Sequence, residues 1–274
     1  MGKSSKSLFI GALASTLVSG VSFAADYIPP PIVDFEPEYE VEFGGNLYLR
    51  GYVGFTNQEV DHLNNALFAT SNVEFLNSEF EAGGLAGVAL GYRFNQWFRA
   101  DISAEYRMRT AYDGLDRYDA DRNGSFADAG DGTNQYLADK SEYLVMANAF
   151  LDMGTYHGIT PYVGAGAGVS YTMIDNMTDI NTPQSSVAYG ADNAEWAFAW
   201  ALHAGVGYEV NDRVTLDLGY RYLSLGDAAS GDLIASGGAN NFLNPVEFNG
   251  ITSHDVTLGF RYALGGFGGG HSGY

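Results

Sequence analysis

Hydrophobic and polar positions alternate with a period of two through residues 253–264. Val256, Leu258, Phe260 and Tyr262 hold one parity, while Asp255, Thr257, Gly259 and Arg261 hold the other. Successive side chains of a β-strand point to opposite faces, so this stretch predicts a strand with one apolar and one charged face. Charges turned into a dry apolar core are costly unless partnered. A strand with hydrocarbon outside and a polar interior suits both faces, whereas a soluble sandwich strand puts its apolar side inward.

Seven earlier segments repeat the pattern. Residues 46–56 set Leu47, Leu49, Val53 and Phe55 against Tyr48, Arg50, Tyr52 and Thr56, and residues 80–94 carry Glu81 and Arg93 on their polar side. In residues 97–109 the segregation is strictest, with Arg99, Asp101, Ser103, Glu105, Arg107 and Arg109 on one parity and Phe98, Ile102, Tyr106 and Met108 on the other. Glu142, Asn148 and Asp152 alternate with Tyr143, Val145 and Leu151 in residues 141–153. Residues 161–173 place Gly164, Gly166, Gly168 and Ser170 on one side, which either leaves room for long inward side chains or marks a bend or bulge. His203 and Glu209 share the inner parity of residues 196–210, as Asp217 and Arg221 do in residues 213–223.

The connections alternate in length: long at 58–79, 110–140, 174–195 and 224–250, short between the other pairs. This predicts an all-β chain, an eight-stranded antiparallel up-and-down transmembrane β-barrel with four long extracellular loops. Aromatics gather toward the strand ends, Tyr92, Phe98, Tyr208 and Tyr262 near one rim and Phe80, Tyr106, Tyr143, Tyr171 and Trp196 near the other. Such girdles mark the two membrane interfaces.

Outside the strands, residues 1–24 read as a secretory signal, with Lys3 and Lys6 before an apolar run and cleavage between Ala24 and Ala25. The run is too short and too broken, by Ser15, Ser19 and Gly20, for a transmembrane anchor. Residues 25–45 read as a Pro- and Glu-rich periplasmic linker, residues 46–264 as the barrel and residues 265–274 as a Gly-rich tail. The net charge of −20, from 33 acidic and 13 basic residues, excludes nucleic acid as a natural partner. With no cysteine, the exported chain must draw its stability from backbone pairing and not from disulfide bridges.

The signal, the acidic Pro-rich lead-in, the eight alternating strands and the ending Val256-Thr257-Leu258-Gly259-Phe260-Arg261-Tyr262 resemble the small outer-membrane surface-antigen barrels of Gram-negative bacteria, OmpA-like or opacity-protein-like. The resemblance implies an integral outer-membrane surface protein without enzyme activity, placed by the outer-membrane assembly machinery among lipid and lipopolysaccharide. Relatives end on an aromatic of the last strand, whereas here the tail follows; the assembly machinery would read Tyr274 or an internal aromatic such as Tyr262.

The inward charges expected are Arg50, Glu81, Arg93, Arg99, Asp101, Glu105, Arg107, Arg109, Glu142, Asp152, Glu209, Asp217, Arg221, Asp255 and Arg261. An eight-stranded barrel is only wide enough for side chains to fill, which favours a plug of paired charges over an ion path. The alternative is a small-solute pore. Closure should set Arg50, on the first strand, beside Asp255 on the last.

In the second long loop, Asp119-x-Asp121-x-Asn123-Gly124 matches the first half of a calcium loop, but Gly130 stands where a bidentate Glu is needed, with Asp128 and Asp131 nearby. Calcium is set against an acidic surface loop. Ser253-His254 resembles the nucleophile and base of a membrane lipid deacylase, yet adjacent strand residues face opposite ways. The four long loops hold 18 acidic and three basic residues. They predict an acidic surface toward host or surface proteins and toward lipopolysaccharide through Ca or Mg ions, with no other cofactor. Phe68, Phe75, Tyr118, Tyr136, Tyr189 and Phe242 are either anchors for a partner or packing between loops.

Overall fold

The computed structural model describes residues 46–237 and 243–265. The expected signal with its cleavage at Ala24 and Ala25, the linker, Phe242 and most of the Gly-rich tail lie outside the described residues. Twelve strands appear: β1 Leu47–Glu59, β2 His62–Asn64, β3 Asn72–Phe80, β4 Gly83–Arg93, β5 Phe98–Asp119, β6 Gly132–Asp152, β7 Ile159–Asn181, β8 Ser186–Gly190, β9 Asn193–Glu209, β10 Val214–Ala229, β11 Leu233–Ala235 and β12 Glu247–Ala263. A 3₁₀ turn, Ala66–Thr70, stands between β2 and β3.

Eight of these strands form a closed antiparallel ring in the order β1, β4, β5, β6, β7, β9, β10, β12, with β12 paired back onto β1. Closure leaves no unpaired edge in the lipid-facing wall. The eight expected strands are these eight, and the wall's outer face is apolar: Val53, Val88, Ile102, Val145, Leu202, Leu218 and Leu258 are all exposed. At the rims the exposed girdle includes Tyr106, Tyr143, Trp196, Tyr208 and Tyr262. Phe80 does not join it, because it is buried against Tyr112 and Phe248 inside the ring.

The strands are longer than their alternation suggests. β5, β6 and β7 run 22, 21 and 23 residues, whereas about 9–11 residues cross a bilayer. Much of what reads as long loop is continued ladder; the β5–β6 connection keeps only residues 120–131 outside the strands. Register irregularities fall where the strands leave the apolar belt: between Arg107 and Thr110 on β5, between Ser224 and Gly226 on β10, between Phe248 and Ile251 on β12, and between the β7 partners of Leu137 and Asp139. Each adds a residue and reverses which parity faces inward. Below the irregularity in β5 the odd positions from Arg99 to Arg107 are buried; above it, Thr110, Tyr112, Asp116 and Tyr118 are.

Four expectations are corrected, the first by that reversal. Arg109, in the irregular stretch, turns outward and pairs with Asp139 at 3.3 Å and Asp175 at 2.7 Å on the exposed side. Glu81 falls in the two-residue break between β3 and β4 and is exposed. Glu209 is exposed as well, because it ends β9 beyond the last inward position, Gly207. Arg50 does not meet Asp255: the β1–β12 register sets Arg50 opposite Arg261 and gives Asp255 to Thr56.

Candidate functional site

Inside the ring the side chains stack in layers. Near the short-turn end, Arg50 binds Asp101 at 3.0 Å, Arg99 binds Asp152 at 3.1 Å and Arg261 binds Asp217 at 2.7 Å. Tyr48 donates to Asp101, and Asn148 bridges Asp101, Ser103 and His203 at 2.8, 3.1 and 3.1 Å. Arg99 also lies over the Phe150 ring, 4.0 Å from its centroid. A guanidinium so placed is partnered on its edge by a carboxylate and on its face by a π-system.

The middle layer is a neutral six-charge cluster. Arg107 donates to Glu142 at 2.9 Å, to Glu105 at 3.0 Å and to both oxygens of Asp255 at 2.9 and 3.0 Å. Arg221 reaches Glu105 and Asp255 at 2.7 and 2.6 Å, and Lys140 completes the set on Glu142. Three cations face three carboxylates, all buried. Thr56 and Ser253 add hydroxyls to Arg107, and Gln58 donates to Glu142 at 3.0 Å. Charge-assisted bonds in this setting are the condition under which buried ions are tolerable.

Above the cluster the interior becomes apolar. Phe80, Tyr112 and Phe248 pack with centroids 5.0–6.0 Å apart, alongside Ile174, Met177, Leu225 and Ile251. Lys140 marks the boundary, its ammonium 4.5 Å from the Phe80 centroid. Two voids beside the charge layers measure about 20 and 10 Å³, room for no more than single waters.

Twelve of the fifteen expected inward charges therefore keep to the inner face, and Glu81, Arg109 and Glu209 do not. Arg93 is half-buried at the short-turn rim, lining the smaller void with Arg261. Thr56 keeps the inner parity expected of it, whereas Lys140, Gln58 and Ser253 were missed as members. Parity could have found all three: Gln58 continues the even positions of β1, Lys140 those of β6, and Ser253 the odd positions of β12 that hold Asp255.

The acidic loop spends its side chains on its own backbone. Asp119 accepts from Asn123 N and Gly124 N, Asp121 accepts from Asn123, and Asp131 accepts from Ala120 N and Asp128 N. Asp128 takes the Asn123 amide at 2.8 Å. Among the described residues no three acidic or histidine side chains stand close enough to hold a metal ion. Ser253 points into the charge cluster while His254 faces outward and meets the Tyr220 hydroxyl at 2.7 Å, so the two do not form a nucleophile and base. Of the loop aromatics, Phe68 packs edge-on against Phe75 and Tyr136, and Tyr118 is buried; Tyr189 is exposed.

A family profile described as outer membrane protein beta-barrel domain matches residues 37–263. An uncharacterised protein of Brucella melitensis is 31% identical over 270 residues, covering 90% of this chain and 94% of the relative. The outer membrane protein PagN of Salmonella typhimurium is 25% identical over 185 residues, 65% of this chain and 72% of its own. A Rickettsia bellii protein described as a candidate adhesin is 23% identical over 180 residues, 65% of this chain and 73% of its own. With a matched region spanning the entire closed ring, the chain belongs to the outer membrane protein β-barrel family and resides in the outer membrane of a Gram-negative bacterium.

Proposed function

We propose that the protein is a sealed surface anchor: the barrel fixes the chain in the membrane and the strand extensions carry an acidic surface outward, serving envelope integrity and contact with other surfaces. The observation that carries this reading is the filled interior. Among the described residues a neutral charge cluster with an apolar layer above it occupies the ring, and the voids beside the charges measure about 20 and 10 Å³, too little for a hydrated solute. Adhesion fits the kinship with a candidate adhesin, and no enzyme activity is assigned.

Acidic groups held outside a lipopolysaccharide leaflet attract Ca or Mg ions, which bridge them to headgroup phosphates. A host or surface protein would meet the same acidic face, and the assembly machinery would read Tyr274 or an internal aromatic such as Tyr262. Liposome swelling with the folded protein should show no solute entry; swelling at the rate of a known porin overturns the sealed reading in favour of a small-solute pore. Deletion of the gene should weaken the outer membrane, and the difference from wild type should shrink when a chelator removes divalent ions. Equal integrity in both strains, with and without chelator, removes the envelope role.

A further inference from the structure

At the long-connection end, beyond the apolar layer, lies a cavity of about 350 Å³. That is within the range of small-molecule sites. It is lined by the 3₁₀ turn through Leu67 and Phe68, by Val73 at the start of β3, and by residues of β5, β6, β7, β8 and β11. Among the described residues neither Lys, Arg nor His lines it. The basic groups around this end are engaged elsewhere, Arg117 with Glu74 and Arg122 with the Ala69 carbonyl.

Two acceptors in the lining lack donors among the described residues. Asn244 is 6% exposed and its Oδ1 receives no hydrogen bond among the described residues; nor does the Oδ1 of the half-buried Asp179 on β7. Unmet buried acceptors cost free energy and are rare in folded proteins, so each needs a reason. Asp116, the neighbouring carboxylate, differs because it accepts from the Tyr136 hydroxyl at 2.8 Å and from Asn134 N at 3.1 Å. Burial and the charge of Asp116 push the Asp179 carboxyl up to about 7, so its ionised form lacks a compensating cation. Phe68, Tyr118 and Tyr136 complete the lining with ring surface, which favours cations as well as apolar bodies.

We propose that this cavity binds a small organic cation, its protonated amine pairing with Asp179, its other donors meeting Asn244, and its hydrocarbon body lying against the aromatic rings. A divalent metal is the poorer occupant, since no three acidic or histidine groups converge among the described residues. The site goes beyond the anchoring role and does not depend on it.

Calorimetry on the full chain folded in detergent, with cadaverine as the cation and pentanediol as its uncharged counterpart, tests the inference. At about pH 8, where the carboxyl is mostly ionised, cadaverine should bind at one site and pentanediol at least about tenfold more weakly. Asp179→Asn should lower cadaverine affinity by about tenfold or more while leaving the heat-dependent gel shift of a folded barrel intact. Leu233→Trp, which narrows the cavity without touching a charge, should also abolish binding. No binding of cadaverine, equal binding of pentanediol, or unchanged affinity in Asp179→Asn each overturns the proposal, and the wild-type comparison of the two probes decides it even if a variant fails to fold.

Discussion

Arg107 on β5 and Asp255 on β12 are 148 residues apart in sequence and meet across the barrel interior as a two-pronged pair, at 2.9 and 3.0 Å. Their strands are not neighbours: β4 and β1 lie between them in the wall. The pair is thus a strut between separated parts of the ring, made only once the barrel has closed.

Arg107→Leu should destabilise the folded barrel by about 3–5 kcal/mol, because it strands Asp255, Glu142 and Glu105 with only Lys140 and Arg221 for company. Urea titration of unfolding in lipid vesicles reads this directly. A loss below about 1 kcal/mol would show that the cluster relaxes to re-pair its charges, and the strut would lose its meaning.

The wall was legible because lipid outside and charge inside impose a strict period of two, as the run from Phe98 to Arg107 shows. The outer half was not, for a definite reason. At the irregularity near Arg109 the inward parity passes from odd to even, so Tyr112, Asp116 and Tyr118 look out of phase with Arg99 to Arg107 and read as loop. Gly226 and Gly250, at φ +80° and +68°, interrupt β10 and β12 in the same manner. The partners within the charge cluster were equally hidden, since they depend on strand register: a six-residue offset separates Arg50 from the position that faces Asp255. The outer cavity is built from seven different elements and leaves no local signal at all.

Gly91 lies opposite Tyr48 in the β1–β4 ladder, and the Tyr48 ring covers the space a Cβ at Gly91 would need. Gly91→Val should cost about 1–3 kcal/mol through overpacking. Adding Tyr48→Ala should return part of that loss, measured by the same urea titration. If the two changes simply add, the ring and the glycine are not coupled.

Phe248 sits at the centre of the apolar layer, fully buried against Phe80 and Tyr112. Phe248→Ala should cost about 3–5 kcal/mol, and the loss should be local. Hydrogen exchange should speed up in β3 and in the outer parts of β5 and β12 while the lipid-facing ladder around Ile102 and Leu258 stays protected. Uniform loss of protection would mean that the barrel and its extension unfold as one unit.

The Asp179 carboxyl, pushed up to about 7 by burial first and by Asp116 second, gives a pH dependence of definite sign. An unfolded Asp titrates near 3.9, so between about pH 4 and pH 7 the native protein holds a proton that the unfolded chain has released. Stability from this group is therefore greatest below about pH 4, falls as pH rises to about 7 and is flat above. Asp116 is shifted upward as well, chiefly by burial, so the wild type alone does not isolate Asp179; the difference from Asp179→Asn does. The variant should gain on the wild type steadily through that window, in thermal unfolding followed at the outer strands. A carboxyl midpoint near 4 by NMR, or a difference that does not change with pH, would mean that Asp179 is better solvated than its cavity implies.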